Sequence, residues 1–234
     1  MKWESTTIKR ISIRELEKRE WIEKYSRANL FRAIPPSITI SREAGSGGTS
    51  IAKLVAKELK FSFYHKKIIE LVAKHSKKRK DLISSLDEQS RNIIEETFGS
   101  LFGTRPISSA TYFRNLVKVI LSLTQKGKCV LLGRGGNFVV YPKNSLRVRV
   151  IAPLKTRIKN TIKLEGKTER QAKKHIENVY FNRKKFIREY FCGKDISNAN
   201  YYDLVINTQN LSVEQVAEII IRTFKKRFPG ALRS

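Results

Sequence analysis

The sequence predicts an α/β protein in which helices cover both faces of a parallel sheet. Three observations lead to this prediction. Short apolar runs alternate with longer segments whose apolar residues recur at helical spacing. Two of the apolar runs lead directly into glycine-rich turns. The chain has no internal repeat, so the alternation indicates one sheet built from strand–helix–strand units.

The elements follow in order along the chain. Residues 12–30 have helical spacing and end before Pro35 and Pro36, which stop a helix, so we expect a helical extension over 1–35 and a main domain over 36–230. Strands are predicted at 37–41, 61–64, 128–132, 145–153 and 201–208. Helices are predicted at 47–59, around 68–72, and at 81–98, 111–126, 154–164, 168–191 and 211–228.

The chain is strongly basic. It has 48 Lys and Arg against 21 Asp and Glu, a formal charge of +27 and a pI near 10.3. Such an excess attracts polyanions such as RNA, DNA or multiply phosphorylated ligands. The positive residues are spread along the chain and only residues 75–80 form a dense run. Two interpretations therefore stay open: solvated helix faces with weak polyanion affinity, or a dedicated nucleic-acid surface.

The same composition bears on where the protein works. No apolar segment approaches the length of about 18 residues that indicates a membrane span, and the N-terminus, which is of mixed charge, lacks the apolar core of a secretory signal. Cys129 and Cys192 are far apart in the sequence, so we expect two free thiols in a reducing compartment. The expected location is the cytoplasm.

The first glycine turn, within SREAGSGGTS at 41–50, has the strand–turn–helix layout of a phosphate-binding loop. Against the pattern G-x-x-x-x-G-K-[ST], Arg42 stands where the first glycine belongs and Gly48 where the lysine belongs, whereas Gly47 and Thr49 fit. The lysine normally supplies positive charge at the phosphates, so Arg42 is the natural substitute.

The hydroxyl groups that follow this turn suit a metal ion. Thr49 or Ser50 can offer an oxygen to Mg²⁺, as the Ser or Thr at the end of a phosphate-binding loop does. A dinucleotide site is not predicted, because residue 50 is not the third glycine that such a turn requires.

Three further arginines are candidate anion ligands. Arg134 lies between two glycines at the predicted end of a strand, where it can bind an anion or cap the turn. Arg183 and Arg188 lie five residues apart on a predicted helix, where they can clamp phosphate in a mobile lid or simply face solvent. Both interpretations stay open for each residue.

In this order and spacing, several motifs resemble the cytidylate kinase-like family, a branch of the P-loop nucleoside monophosphate kinases. The resemblance covers about residues 36–228 and rests on ITISREAGSGGTSIAKLVAKEL, DE at 87–88, RPIS at 105–108, LLGRGGNFVV, LRVRVIAPLKTRI, NRKKFIREYF and YYDLVINTQNLSVEQ. It implies a P-loop NTPase-type sheet of about five parallel strands, a helical monophosphate-binding region at about 61–126 and a lid at about 155–192.

The resemblance also implies a reaction, the transfer of the γ-phosphoryl group of ATP to a nucleoside monophosphate, with Mg²⁺. Positioning and charge neutralisation do most of the catalytic work in such transfers. The resemblance implies that Arg134 binds the acceptor phosphate, that Arg183 and Arg188 are lid arginines, and that the ATP phosphates are held by Gly45, Ser46, Gly47, Gly48, Thr49 and Ser50. Arg42 is added from its position in the loop, both at the ATP phosphates and as a catalytic arginine beside Arg134, Arg183 and Arg188. Thr49 and Ser50 stay the candidates at the metal.

The chain departs from the family at several acidic positions. Leu132, Gly135, His65 and Tyr180 stand where carboxylates are usual, while Asp87 and Glu88 are retained as candidate polar ligands. Three functions therefore stay open: an ATP- and Mg²⁺-dependent phosphotransferase, a nucleotide-binding protein with little catalysis, or an RNA-binding or RNA-directed kinase. The expected partners are nucleotide substrates; a nucleic acid and a second copy of the chain are left open.

Overall fold

The computed structural model describes residues 35–70, apart from 67 and 69, and residues 109–231. Five parallel strands form one sheet in the spatial order β2–β3–β1–β4–β5, where the labels follow the chain order. The strands are β1 (Ser37–Arg42), β2 (Ser62–Tyr64), β3 (Cys129–Leu132), β4 (Ser145–Ile151) and β5 (Leu204–Asn207). The predicted α/β fold with about five parallel strands is confirmed.

Six helices are described. They are α1 (Gly48–Glu58), α2 (Ser109–Gln125), α3 (Gly136–Val139), α4 (Leu154–Glu165), α5 (Glu169–Tyr190) and α6 (Val213–Arg227). Short 3₁₀ turns cover Pro142–Asn144 and Ala199–Tyr201. In the described part of the chain, no helix is both long and apolar enough to cross a membrane.

Alternation along the strands sends side chains to two separate cores. Val130 and Leu132 of β3 belong to the cluster that packs against α1 and α6, whereas Leu131 belongs to the cluster that packs against α2 and the end of α5. Successive side chains of a strand point to opposite faces, so a continuous apolar run indicates burial on both. The sheet is therefore covered by helices on both sides, as predicted.

Local signals set several helix ends. Thr168 and Ser212 begin α5 and α6 with capping boxes, in which each hydroxyl accepts a hydrogen bond from the backbone N–H three residues on. Gly166 ends α4 in the left-handed conformation, with φ 64°. These signals explain why the helices agree with the prediction to within a residue or two at these ends.

The structure differs from the prediction at two places. The predicted strand at 201–208 is shortened to β5, because a 3₁₀ turn occupies Ala199–Tyr201. The second glycine turn leads into the one-turn helix α3, which was not predicted. Apart from Pro35, the predicted extension at 1–35 lies outside the described residues, as do the helix at 81–98, the basic run at 75–80 and the pair Asp87 and Glu88.

Candidate active site

The first glycine turn has a backbone that only glycine allows at one position. Gly45 has φ 77°, and a Cβ there would overlap the carbonyl oxygen of Arg157. Gly47, with φ 78°, is the N-cap of α1. The first N–H groups of a helix have no partner within it and attract anions. The turn therefore presents the N-terminus of α1 as an anion site.

Side chains from distant elements brace this turn. The amide of Asn160 on α4 donates to the carbonyl oxygen of Gly45 at 2.9 Å, and the hydroxyl of Thr208 donates to that of Ser46 at 3.0 Å. The Ser46 hydroxyl itself donates to the carbonyl oxygen of Glu43 at 2.9 Å. Three carbonyl groups of the turn are thus occupied by side-chain donors, which fixes the loop before any ligand binds.

Glu43 anchors the same loop to the sheet and to α4. Its carboxylate accepts from the backbone N–H of Ala152 at 3.1 Å and lies 3.4 Å from Nε of Arg157 and 4.0 Å from Nη2 of Arg149. Arg149 is buried and also donates to the hydroxyl of Ser41 at 3.1 Å. Since a buried charge is costly without a partner, these groups depend on one another.

The path of the Arg42 side chain explains why residue 48 is glycine and not the lysine of the usual phosphate-binding loop. A Cβ at Gly48 would lie 2.5 Å from Cβ of Arg42, and a Cβ at Gly133 would overlap its Nη1. The guanidinium group continues past β3 and donates from Nη2 to Nε2 of His65 at 2.8 Å. In this structure it therefore extends away from the first turn, not back over it as a substitute lysine would.

A cavity opens where Arg42 ends, at the carboxyl edge of β1 and β3. Ligands bind at this edge in open parallel sheets. The lining residues are Ser41, Arg42, His65, Lys66, Leu132, Gly133, Arg134, Gly135, Asn137, Asn182, Arg183, Phe186, Ile187 and Ile196. Four of them are cationic, and none of the described residues that line the cavity is acidic. This charge suits a phosphate group.

Comparison with sequence families covers the stretch of chain that contains these residues. The sequence model of the cytidylate kinase-like family matches residues 37–210 of the chain. The chain belongs to this family.

Relatives with this family name are found in archaea. The cytidylate kinase of Pyrococcus horikoshii is 29% identical over 186 residues, which cover 78% of the chain and 85% of that protein. The cytidylate kinase of Staphylothermus marinus is 36% identical over 104 residues, or 44% of the chain and 57% of that protein, less than two thirds of its length. A crystal structure of an uncharacterized protein from Eubacterium ventriosum shares the fold, with 19% identity, a TM-score of 0.60 and coverage of 81% of this chain and 98% of that one.

His65 follows β2 directly, and its surroundings keep it neutral. Burial, followed by the charges of Arg42, Arg134, Arg183 and Lys66, lowers the pKa of His65 from 6.5 to about 3. Since the Arg42 guanidinium can only donate, Nε2 of His65 accepts this bond. The imidazole orients Arg42 without neutralising its charge.

Two of the predicted lid and turn arginines meet Arg42 at the cavity. Nη1 of Arg183 donates to the backbone carbonyl oxygen of Arg42 at 2.8 Å. The guanidinium of Arg134 lies 5.6 Å from the centre of the Phe186 ring, and its backbone is left-handed, with φ 54°. The structure therefore brings Arg42, Arg134 and Arg183 together, as the family resemblance implies.

Arg188 does not join them. It is exposed and does not line the cavity. Five residues along a helix turn by about 500°, which places Arg188 about 140° around α5 from Arg183. The spacing that suggested two clamps on one helix puts only one of them at the cavity.

Thr49 and Ser50 occupy the first turn of α1, where the metal was predicted. Thr49 is half-buried and Ser50 is exposed. Hydroxyl oxygens are hard ligands of the kind Mg²⁺ accepts together with substrate phosphates and water. In the described residues no group of three or more His, Cys, Asp or Glu could hold a metal ion. The site thus fits a magnesium ion that arrives with a nucleotide, held by one or two hydroxyl groups.

Several residues of the site were missed in the sequence prediction. Asn160, Thr208 and Arg149 brace the first turn from positions far along the chain, Arg149 through its contact with Glu43 of the turn itself. No local pattern marks such contacts. Asn137 was also missed, although it follows the second glycine turn directly and the quoted motif LLGRGGNFVV contains it.

Proposed function

We propose that the protein is an ATP- and Mg²⁺-dependent phosphotransferase that acts on a nucleoside monophosphate or a related phosphate acceptor. One observation carries the proposal: a braced glycine turn at a helix N-terminus lies beside a cationic cavity, and Arg183 links the two by its bond to the Arg42 carbonyl. The turn would bind the phosphates of ATP, and the cavity would bind the acceptor.

The residues suit a transfer that needs positioning and charge neutralisation more than covalent chemistry. An oxygen of the acceptor phosphate forms a bond to the γ-phosphorus, the bond from that phosphorus to the β–γ bridging oxygen breaks, and ADP leaves with the electron pair. Thr49 and Ser50 would hold Mg²⁺ together with the nucleotide, and the ion would supply positive charge at the phosphates. Arg42, Arg134 and Arg183 stabilise the acceptor and the transferred group.

The test measures ADP formation with ATP and CMP, dCMP, UMP or AMP, each with and without Mg²⁺. We expect turnover with at least one acceptor, and we expect Arg134→Ala to raise KM for that acceptor at least tenfold, because a charge-assisted hydrogen bond contributes about 1.5–3 kcal/mol. The matched control is Arg222→Ala, which removes an exposed arginine of α6 far along the chain from the cavity residues. ATP binding without turnover on any acceptor would favour the nucleotide-binding alternative and overturn the kinase proposal.

We also propose a second role, the binding of single-stranded nucleic acid, on the solvent face of α5. Phe181 is 65% exposed and Tyr180 is 39% exposed. The ammonium group of Lys184 lies 5.8 Å from the centre of the Tyr180 ring, and Lys185 is exposed on the next turn. Glu177 is the acidic neighbour one turn before. Exposed rings among cations are the features on which unpaired bases stack.

A labelled U16 RNA and a duplex of equal length test this second role by fluorescence anisotropy. We expect the single strand to bind more tightly than the duplex, and Phe181→Ala to weaken it about tenfold, since one stacked base contributes about 1–3 kcal/mol. The control variant is Lys225→Ala with Lys226→Ala, which removes two exposed cations from α6. An equal loss of RNA affinity in Phe181→Ala and in this control would show that general charge attraction, and not base stacking, explains the binding. That result would contradict the second role.

A further inference from the structure

Asn137 holds a polar group that the folded chain does not satisfy. The residue is 8% exposed, and its side-chain Nδ2 is buried without a hydrogen-bond partner. Most buried donors in folded proteins are bonded, so an exception calls for an explanation. Asn137 is the second residue of α3, directly after the second glycine turn, and it lines the cationic cavity.

The other groups around the cavity do not supply what this amide lacks. Nδ2 can only donate, so it needs an oxygen or another acceptor. The charged neighbours on the cavity lining are Arg42, Lys66, Arg134 and Arg183, which are donors themselves, and no described lining residue is acidic. Ser41 and Asn182 also line the cavity and carry neutral acceptor oxygens, but neither is hydrogen-bonded to Nδ2 of Asn137. A ligand with acceptor oxygens would supply the missing partner.

A phosphate group fits this need. It offers several acceptor oxygens to donors that surround it, and arginines bind two of them side by side. Arg134 comes three residues before Asn137 in the same turn and lines the same cavity. An amide adds a hydrogen bond there without adding charge, whereas an aspartate in its place would repel the phosphate.

We propose that Asn137 is a binding residue for the acceptor phosphate, whose side-chain Nδ2 donates to a phosphate oxygen in the cavity. The inference rests on the proposed kinase function, because it assigns the acceptor to this cavity. It adds a recognition residue that the resemblance to the family did not assign. It also explains why the residue after the second glycine turn is polar although it is buried.

The proposal predicts that stability and binding respond in opposite directions to one change. Asn137→Leu keeps the number and branching of the side-chain heavy atoms and removes the unsatisfied donor, so we expect an unchanged or higher melting temperature without ligand. The same variant should bind inorganic phosphate and the acceptor monophosphate about tenfold more weakly than wild type, since one hydrogen bond to a charged group is lost. Its affinity for ATP at the first turn should not change.

Isothermal titration with inorganic phosphate, then with CMP, measures these affinities without any need for turnover. Wild-type binding that Asn137→Leu leaves intact would overturn this inference and spare the proposed function. No binding of phosphate or CMP by wild type would overturn both.

A second variant tests the same proposal if leucine at residue 137 disturbs the fold. Asn137→Asp has the same shape but offers a negative acceptor in place of the donor. We expect it to fold, because four cations line the cavity, and to lose more than tenfold in phosphate affinity by repulsion. Equal phosphate affinity in Asn137→Asp and wild type would show that the side chain does not face the ligand.

Discussion

Two glycine turns follow neighbouring parallel strands, yet they place different groups at the same edge of the sheet. The turn after β1 opens the 11-residue helix α1 and is braced by Asn160 and Thr208. The turn after β3 opens the four-residue helix α3 and carries Arg134 in a left-handed conformation. The first turn offers backbone N–H groups to an anion, and the second offers a cationic side chain. Under the proposed function, the two similar glycine patterns would each bind a different phosphate group.

Arg42 joins the two turns. Its Cβ lies where a side chain at Gly48 of the first turn would be, and its Nη1 lies where one at Gly133 of the second would be. The side chain of Arg42 therefore occupies the space that a lysine at residue 48 would need. Arginine at 42 and glycine at 48 thus stand in exchange for the glycine and lysine of the orthodox loop. This exchange can be tested by reversing it.

The largest expected effect comes from restoring the lysine alone. Gly48→Lys places a Cβ at 2.5 Å from Cβ of Arg42, so we expect a loss of about 1–3 kcal/mol in the free energy of unfolding. Adding Arg42→Gly creates G-E-A-G-S-G-K-T, which has the orthodox spacing. The free energy of unfolding of the double variant should be higher, by at least about 1 kcal/mol, than the sum of the two single changes predicts.

Urea denaturation of the four proteins of this cycle measures the coupling. Gly230→Lys is the control for replacing a glycine by a lysine, because a Cβ there meets nothing within 4 Å. Additive effects in the cycle would contradict the account of why residue 48 is glycine.

A smaller effect should appear at His65, which holds Arg42 between the turns. Because the pKa of His65 is lowered from 6.5 to about 3, the unfolded chain takes up a proton below pH 6.5 that the folded protein does not. The contribution of neutral His65 to the free energy of unfolding is therefore present above pH 6.5 and is lost as the pH falls from there towards about 3. His65→Gln keeps an acceptor for Arg42 and has no such proton, so its melting temperature should fall less between pH 7 and pH 5.

The comparison variant is His175→Gln, a change of the same kind on α5. If His65→Gln and wild type lost melting temperature equally over this range, the neutral state of His65 would not contribute to stability.

The fold was predictable because its signals are local. The apolar runs of β1, β3 and β4, the caps Thr168 and Ser212, and the glycine turns can all be read within a few residues of sequence. The order of the strands was not predicted, since spacing alone does not say which strands are neighbours; the structure supplies it. Boundaries failed where a 3₁₀ turn replaced the start of a strand.

The site was predictable only in its outline. Glycine turns and arginines stand out in a sequence, but the direction of a long side chain depends on the space that its neighbours leave, as Arg42 shows at Gly48 and Gly133. Asn160 and Thr208 contact the first turn from 115 and 162 residues along the chain. For Arg188, the helical period already predicts a different face from that of Arg183, because residues five apart on a helix do not lie above one another.

Helix α5 reaches the end of β1 through main chain, because Arg183 donates to the backbone carbonyl oxygen of residue 42. Any residue at position 42 presents that oxygen. If the cavity binds the acceptor as proposed, substitutions at residue 42 would change what the cavity accepts while this contact is preserved. Selectivity and helix docking would then be separable traits, and residue 42 would be a position where the acceptor can be altered, by selection or by design, without losing the contact between α5 and the loop.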